Sequence, residues 1–487
     1  MLKRIKHVVS IIECRSAGVA IRELSTSRPY SCRGQPSYQS HPHLLKQGEV
    51  CPGLTQAEFA TRRWRLMQAV SADASNNLLL IMSATTRYMS NDIPYPYHQD
   101  TDFLYLCGFQ QPGGVLVLHS EPTQTREHVS ALFVPRRDPA RELWDGPRSG
   151  PDGAAELTGI DLAFPIDELP GYLSRFRDPA WTLWCNELDL DHPGWLRRSF
   201  DVVLGEARHD ARLRSPNNYL QLLRLVKSPA EQHLMEMAAK ITAQALVDTM
   251  ATCKAPVDEA YLYAKFEFEC RVRGAEILAY PPVIAGGNRA NTLHYVKNNQ
   301  IIKNGELVLV DGGCEYRNYA SDVTRTWPVN GRFSAVQVAV YEAVLRVQRA
   351  CVAQCRPGTT LQHLQQLMLT LLEDELQELR IVDTQLDHSE KRKATQRYCP
   401  HHVGHFLGLD VHDSPSVPHN LPLQPAMLLT IEPGLYIPEG DDKAPAAFRG
   451  IGVRIEDDIL ITDTGARVLS AGCPTDPEDI ESICGSR

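Results

Sequence analysis

The stretch VLVDGGCEYRNYASDVTRTWP, residues 308–328, sets the tightest constraint on what this chain can fold into. Asp311 ends a run of Leu and Val, and Asp322 opens a second run rich in Val, Thr and Trp. ELVLVDGG and YASDVTRTWPV read as two strands joined by a short polar turn around Arg317 and Asn318. The aspartates are eleven residues apart, so folding about that turn lets them meet across an antiparallel pair. Ionised carboxylates at close range repel, and burying each without a partner costs several kcal/mol. One source of a partner is Arg325 or Arg317, which would make a buried ion pair.

Three further stretches point elsewhere. CPHHVGHFLGLDVHD carries His401, His402, His405 and His412. LLTIEPGLYIP puts Glu432 at the end of an apolar strand, and FRGIGVRIEDDILI puts Glu456 inside another. A lone His on an apolar segment is usually a satisfied core residue, and a lone Glu beside Pro-Gly is usually a turn. Several acids inside apolar strands need a shared explanation. Two divalent cations supply it, because their charge offsets that of Asp311, Asp322, Glu432 and Glu456. Oxygen-rich ligation with one imidazole suits Mn²⁺ and also accepts Zn²⁺ or Co²⁺. HHVGH is not a zincin helix, since no Glu follows its first His.

The rest of the chain narrows the class. Its 487 residues are enough for two domains. A net charge of −9 does not suggest a nucleic-acid partner. No apolar run reaches the ~18–20 residues that span a bilayer. The 13 cysteines are scattered without a CxxC pair, which indicates neither a disulfide framework nor a zinc ribbon and fits a reducing compartment. Cys351 and Cys355 read as buried thiols on a helix.

Up to residue 48 the chain is basic, Ser-rich and nearly free of acids: Lys3, Arg4, Lys6, Arg15, Arg22, Arg28, Arg33 and Lys46 stand against Glu13 and Glu23. That is the composition of a mitochondrial transit peptide. SRPYSC adds an Arg-x-Tyr processing signature with cleavage after Tyr30. The expected address is the matrix, with a cytosolic pool open through an alternative start. Folded structure is expected from about CPGLTQAEF, where Thr55 and Glu58 have capping-box spacing. The runs NLLLIMS, DFLYLCGF, GGVLVLH, SALFVP and TLWCNEL read as strands of an α/β domain over residues 49–225. Ser228, Pro229 and Glu231 open a helix that begins a second domain, 226–487. A further helix stops at Gly274, after which strand and Gly/Pro loop signals dominate.

Taken in order, VDGG…SDVTRTW, HHVGHFLGLDVHD, TIEPGLYIP and GVRIEDD resemble the M24 or pita-bread metallopeptidases, closest in wording to aminopeptidase P. The resemblance runs from about residue 40 to the end. It implies an α/β N-terminal domain followed by an α+β pita-bread (creatinase/aminopeptidase-like) catalytic domain. It also implies five metal ligands, all present: Asp311, Asp322 as a bridge, His405, Glu432, which is also the general base, and Glu456 as a second bridge. His294 and His412 match residues that contact the substrate, His412 at the scissile carbonyl. His401 matches a wall of the proline pocket. Arg454 lies on the Glu456 strand face and balances charge. Tyr436 either closes the site or packs in the core. Arg148 resembles an arginine that reaches a neighbouring subunit's site.

The implied activity is release of the first residue from peptides with a free N-terminus and proline second, including newly exposed mitochondrial N-termini. A prolidase-type dipeptidase and a non-catalytic pita-bread binding protein are the rivals. The aromatic and Pro-rich NDIPYPYHQDTDFLYL, together with the resemblance, implies a homodimer through the N-terminal domain.

Overall fold

A short apolar run does not choose between strand and helix by itself; the residues at its ends decide. The computed structural model describes residues 34–121, 127–186, 194, 198 and 213–485. Of the leader expected up to residue 48, residues 1–33 lie outside them. The chain is already packed at residue 35, earlier than the first helix start suggests. Gln35 donates from Nε2 to the Gly108 carbonyl (3.2 Å) and accepts the Gln110 N–H (2.8 Å), and Leu45 is buried.

Helix α1 (Gln56–Ser71) starts at Thr55, whose hydroxyl accepts the Glu58 N–H at 3.3 Å. The Glu58 carboxylate does not close the expected box; it pairs with Arg62 one turn on, at 2.9 Å. NLLLIM forms strand β1 (Asn77–Met82), buried throughout. DFLYLCGF, expected as a strand, is instead helix α2 (Thr101–Cys107). Asp100 caps its start by accepting the Phe103 N–H at 2.8 Å, and Gly108 closes it at φ 67°.

The remaining expected strands form, β2 (Val115–Ser120), β3 (His128–Val134) and β5 (Thr182–Cys185), and an unexpected one, β4 (Leu162–Pro165), joins them. With the short β6 (Leu213–Arg214) they make a six-stranded sheet in the order β6-β5-β1-β2-β3-β4. Within it β1 runs parallel to β5 and antiparallel to β2. Helix α3 (Asn217–Leu225) ends this half.

Helix α4 (Pro229–Ala251) has the full capping box of Ser228 and Glu231 with Pro229 in its first turn. Glu231 also accepts the Tyr319 hydroxyl (2.9 Å) and lies 3.2 Å from Arg62, so one carboxylate caps α4 and ties it to both halves. The two halves share one compact unit, and a single apolar cluster joins Phe59, Phe103 and Trp184 to Met235, Leu407 and Leu428. Helix α5 (Glu259–Val272) is followed by Gly274 at φ 98°, the expected stop.

Strands β7 (Val283–Gly286), β8 (Leu307–Gly312) and β10 (Val323–Pro328) form one antiparallel sheet, with β8 central. Between β8 and β10 the chain makes a separate small hairpin. Strand β9 (Cys314–Tyr316) pairs with residues 319–320 across Arg317 and Asn318, at φ 54° and 67°. Two successive positive φ values are those of the tight turn whose twist suits a hairpin. Gly313 makes the break between ladders possible, since a Cβ there would lie 1.7 Å from the Ser321 carbonyl oxygen. Contrary to the expectation of mostly strands and loops after Gly274, three helices follow between β10 and the next strand. They are α6 (Ala335–Ala353), α7 (Leu361–Glu378) and α8 (His388–Tyr398). Cys351 and Cys355 are buried as expected, but only Cys351 lies on a helix, α6, since Cys355 follows its end. Strands β11 (Leu428–Ile431), β12 (Gly434–Ile437), β13 (Ile451–Arg454) and β14 (Asp457–Ile461) complete the region that carries the acids. Among the described residues no helix is long and apolar enough to cross a membrane.

Candidate metal centre

The acids sit where strand ladders end. Asp311 lies near the end of β8, opposite Thr324, and Asp322 directly precedes β10. β11 pairs with β14 as far as Ile431↔Asp457, and β12 with β13 from Gly434↔Arg454. Glu432 and Glu456 therefore lie in the same interruption between two ladders, where Ile455 N–H donates to the Pro433 carbonyl (3.2 Å). Glu456, expected inside a strand, stands at this break instead. His405 lies in a non-helical segment held against β11: Thr430 N–H donates to its carbonyl (2.9 Å), and its own N–H to Thr430 Oγ1 (3.2 Å). Gly404 allows that approach, because a Cβ would come within 1.9 Å of the Thr430 oxygen.

These side chains line one cavity of about 600 Å³, with His294, His401, His412, Arg454 and Tyr280. Ligand atoms of Asp322, His405 and Glu456 all lie within 4.8 Å of one another. Asp311 and Glu432 adjoin that cluster. The Tyr280 hydroxyl lies between the carboxylates of Asp311 (2.6 Å) and Asp322, and His405 Nε2 is 3.4 Å from Asp322 and 3.8 Å from Glu432. Neither Arg325 nor Arg317 serves the aspartates. Arg325 pairs with Asp457 at 2.7 Å and Arg317 with Glu276. The cation that reaches the cluster is Arg454, 2.5 Å from Asp311.

One guanidinium and one imidazole do not balance four acids. Burial pushes Glu432 up to about 7, with Asp322 and Asp311 adding repulsion against the pull of His405 and Arg454. Burial and the other three acids raise Glu456 as well, and burial raises Asp311 despite Arg454. At Asp322 burial also acts upward, but the His405 contact outweighs it and holds the carboxyl below the usual range. Burial opposes the charge on His405, yet Asp322 and Glu432 lift it to about 9. A buried set in which three of four carboxyls would rather take up protons than stay ionised is the electrostatic complement of bound cations. Its donors, four carboxylates and an imidazole, fit a divalent metal.

Residues 233–463 match metallopeptidase family M24, and residues 59–184 match the aminopeptidase P N-terminal domain. Xaa-Pro aminopeptidase 3 of Rattus norvegicus is 52% identical over 99% of this chain and 97% of its own. The chain belongs to metallopeptidase family M24. The mitochondrial intermediate cleaving peptidase 55 of Arabidopsis thaliana is 41% identical over 92% of this chain and 87% of its own. Zinc-substituted Escherichia coli aminopeptidase P in complex with product superposes with a TM-score of 0.80, at 32% identity, covering 89% of this chain and 99% of that one. The fold accordingly joins an aminopeptidase P N-terminal domain to a pita-bread domain, as the motifs implied.

Around this M24 centre, the other expected site residues fall into two groups. His294, His401, His412 and Arg454 line the cavity. The His412 ring stands edge-on to His405, centroids 4.5 Å apart. His401 is held by two bonds. Its Nδ1 lies 2.8 Å from the His402 carbonyl, so that nitrogen carries the proton, and Nε2 accepts from the Tyr436 hydroxyl at 2.9 Å. Burial lowers its pKa to about 4, which keeps the ring neutral. Tyr436 is buried behind that wall and also accepts from Arg454 Nη1 (2.7 Å), so it orients wall residues and does not line the cavity itself. Arg148 lies away from this cavity, paired with Asp145 at 3.2 Å. His402 packs on His419.

Two important residues were missed in the sequence. Tyr280, in AYPPV, bridges the aspartates. Thr324 donates to Glu456 (2.6 Å) and accepts from Arg454 Nε (3.1 Å). Thr324 was within reach of register reasoning, since it sits directly across from Asp311. Tyr280 lies 31 residues before Asp311 and left no local signal.

Proposed function

We propose that the protein is a dinuclear-metal aminopeptidase that releases the first residue of peptides whose second residue is proline. Residues 226–487 would be its catalytic domain and residues 49–225 its N-terminal domain. The observation that carries this reading is the convergence of Asp311, Asp322, His405, Glu432 and Glu456 on one cavity, in a chain whose relatives are named Xaa-Pro aminopeptidase. Those five side chains would hold two divalent ions, with Mn²⁺ best matched to the oxygen-rich set. Bound divalent ions supply Lewis acidity at a carbonyl and bring the pKa of water toward neutrality.

The chain's own groups supply the rest. Glu432 takes a proton from the attacking water and passes it toward the leaving nitrogen. In an Xaa-Pro bond that nitrogen is a tertiary amide without an N–H. The neutral His401 face suits such a ring, because it aims no acceptor at an absent hydrogen. His412 donates to the developing oxyanion. His294 lines the cavity beside Leu293 and Val296 and positions the substrate. Replacing His412 by Ala is expected to lower kcat by about 10²–10³-fold with a smaller rise in KM. An unchanged kcat with only a raised KM would reassign it to ground-state binding.

The manganese-loaded protein should cleave Ala-Pro-Ala and release Ala. Activity on the dipeptide Ala-Pro alone would make it a prolidase, and inactivity on both with metal bound would make it a binding protein.

A homodimer belongs to the same proposal. The first half of the aromatic stretch is exposed at Ile93 and Tyr95, beside Tyr88, Met89, Leu143 and an 82% exposed Trp144, and Arg148 lines the same surface. The second half, Phe103 to Tyr105, is core. Contiguous exposed apolar surface of this kind marks a contact. Light scattering on dilution should give a dimer mass; a fully active monomer at micromolar concentration would overturn it. The basic leader and the Arabidopsis relative support the mitochondrial matrix, with N-termini newly exposed by processing as substrates. An alternative start would give a cytosolic pool.

A further inference from the structure

A second cavity, of about 340 Å³, adjoins the first. Its walls are the end of β1 with Ser83, Ala84 and Thr85 beyond it, the segment Tyr95 to His98, and Asn186 just past β5. β1 and β5 are parallel neighbours, so this groove opens outside the carboxyl ends of parallel strands, where α/β sheets leave a binding crevice. The groove and the cavity of the acids meet at one residue, His98, which lines both. His98 Nε2 is 2.9 Å from Glu315 Oε1 in β9, so the sill between the two spaces is an N-terminal imidazole fastened to the catalytic half.

The linings of the two cavities are tied together at a second point as well. Arg224, at the end of α3, donates to Asp102, which lines the groove (2.8 Å), and to Asp410, which lines the metal cavity (2.6 Å). Its guanidinium also lies 2.7 Å from Asp413, next to His412. A chain crossing His98 would therefore find the groove in fixed register with the metal site.

We propose that this groove takes the substrate chain downstream of the proline, its third and fourth residues. The inference rests on the aminopeptidase reading above and names where the rest of the peptide goes. The lining suits a peptide of mixed sequence. Tyr95 and Tyr97 offer apolar faces with polar tips, Pro96 an apolar ring, and Thr85 and Asn186 neutral hydrogen-bonding groups. A volume of this size accommodates a small ligand and no folded segment.

The test uses the manganese-loaded full chain with Ala-Pro-Ala, Ala-Pro-Ala-Ala and Ala-Pro-Ala-Ala-Ala. kcat/KM is expected to rise about tenfold from the tripeptide to the pentapeptide. Thr85→Trp, which fills the groove, is expected to bring that ratio to about one, tripeptide turnover reporting that the variant is folded. A pentapeptide with a photoreactive benzophenone at its fourth residue should cross-link within residues 83–87 or 95–98. Tripeptide cleavage with a flat length dependence, an undiminished advantage in Thr85→Trp, or cross-links elsewhere would overturn the groove. Failure to cleave any of the three peptides would instead overturn the aminopeptidase reading, while cross-linking, which needs binding alone, would still report on the groove.

Discussion

Asp322→Asn is expected to abolish peptidase activity, to below about 10⁻³ of the parent, or about 4 kcal/mol of transition-state stabilisation. Asp322 joins several of the contacts at the centre. It lies in the tight cluster with His405 and Glu456, meets Tyr280, and stands nearest to the His405 imidazole. The amide keeps the shape and one acceptor for Tyr280 but turns an N–H₂ toward the place where cations would bind. Loss of even a supporting group around a metal costs ~10–100-fold in affinity or activity, and loss of a ligand costs more. The fold should survive, because the bond from the Asp322 N–H to Asp458 (3.2 Å) is made by the backbone. Metal content by mass spectrometry should fall by at least one ion per chain while the circular dichroism spectrum stays unchanged. Two retained ions with normal turnover would refute the ligand assignment.

Arg325→Met is expected to lower stability by about 3–5 kcal/mol, the cost of leaving a buried carboxylate without its cation. Arg325 is fully buried and uses all five donors. Nε donates to the Pro474 carbonyl (3.1 Å). Nη1 donates to the carbonyls of Thr324 (2.9 Å) and Glu456 (2.6 Å), and Nη2 to Asp457 (2.7 Å) and the Cys473 carbonyl (2.8 Å). Methionine fills the space but takes this donor from four carbonyls and leaves Asp457 with its Gln348 and Ser470 bonds. Lysine, with three donors and no planar fork, should recover only a fraction of the loss. Adding Asp457→Asn should also restore some of it, since it removes the stranded charge. Because Arg325 holds the carbonyls of Thr324 and Glu456, metal affinity should drop with stability. A urea midpoint unchanged from the parent would show that the strands are held by other contacts.

That Asp311, Asp322, Glu432 and Glu456 belong together was legible in the sequence because acids in apolar strands are improbable without a shared counter-charge, and these four, with His405, fell into ordered motifs. Helix starts were legible where the cap is local: Ser228, Pro229 and Glu231 behave as their spacing demands. Caps of the same kind at Ser334–Gln337 and Asp387–Glu390 went unread amid strand signals, although each forms a full box. DFLYLCGF misled because its apolar residues fit either period, and only Asp100 and Gly108 at its ends specify the helix.

Tertiary structure alone decided which cation meets which acid. By spacing, Arg325 and Arg317 were nearest to the aspartates, yet the register of β8 on β10 and the break at Gly313 turn both away. Arg454, from a strand more than a hundred residues later, takes the place beside Asp311. Tyr280, His98 and Arg224 follow the same rule. Their importance comes from what long-range packing sets opposite them, and no local propensity records that. Covalent spacing fixes what a residue can reach within a turn or a hairpin. Which of the distant charges and hydroxyls it meets is settled by how the sheets and helices bury their apolar faces, and that depends on the whole chain at once.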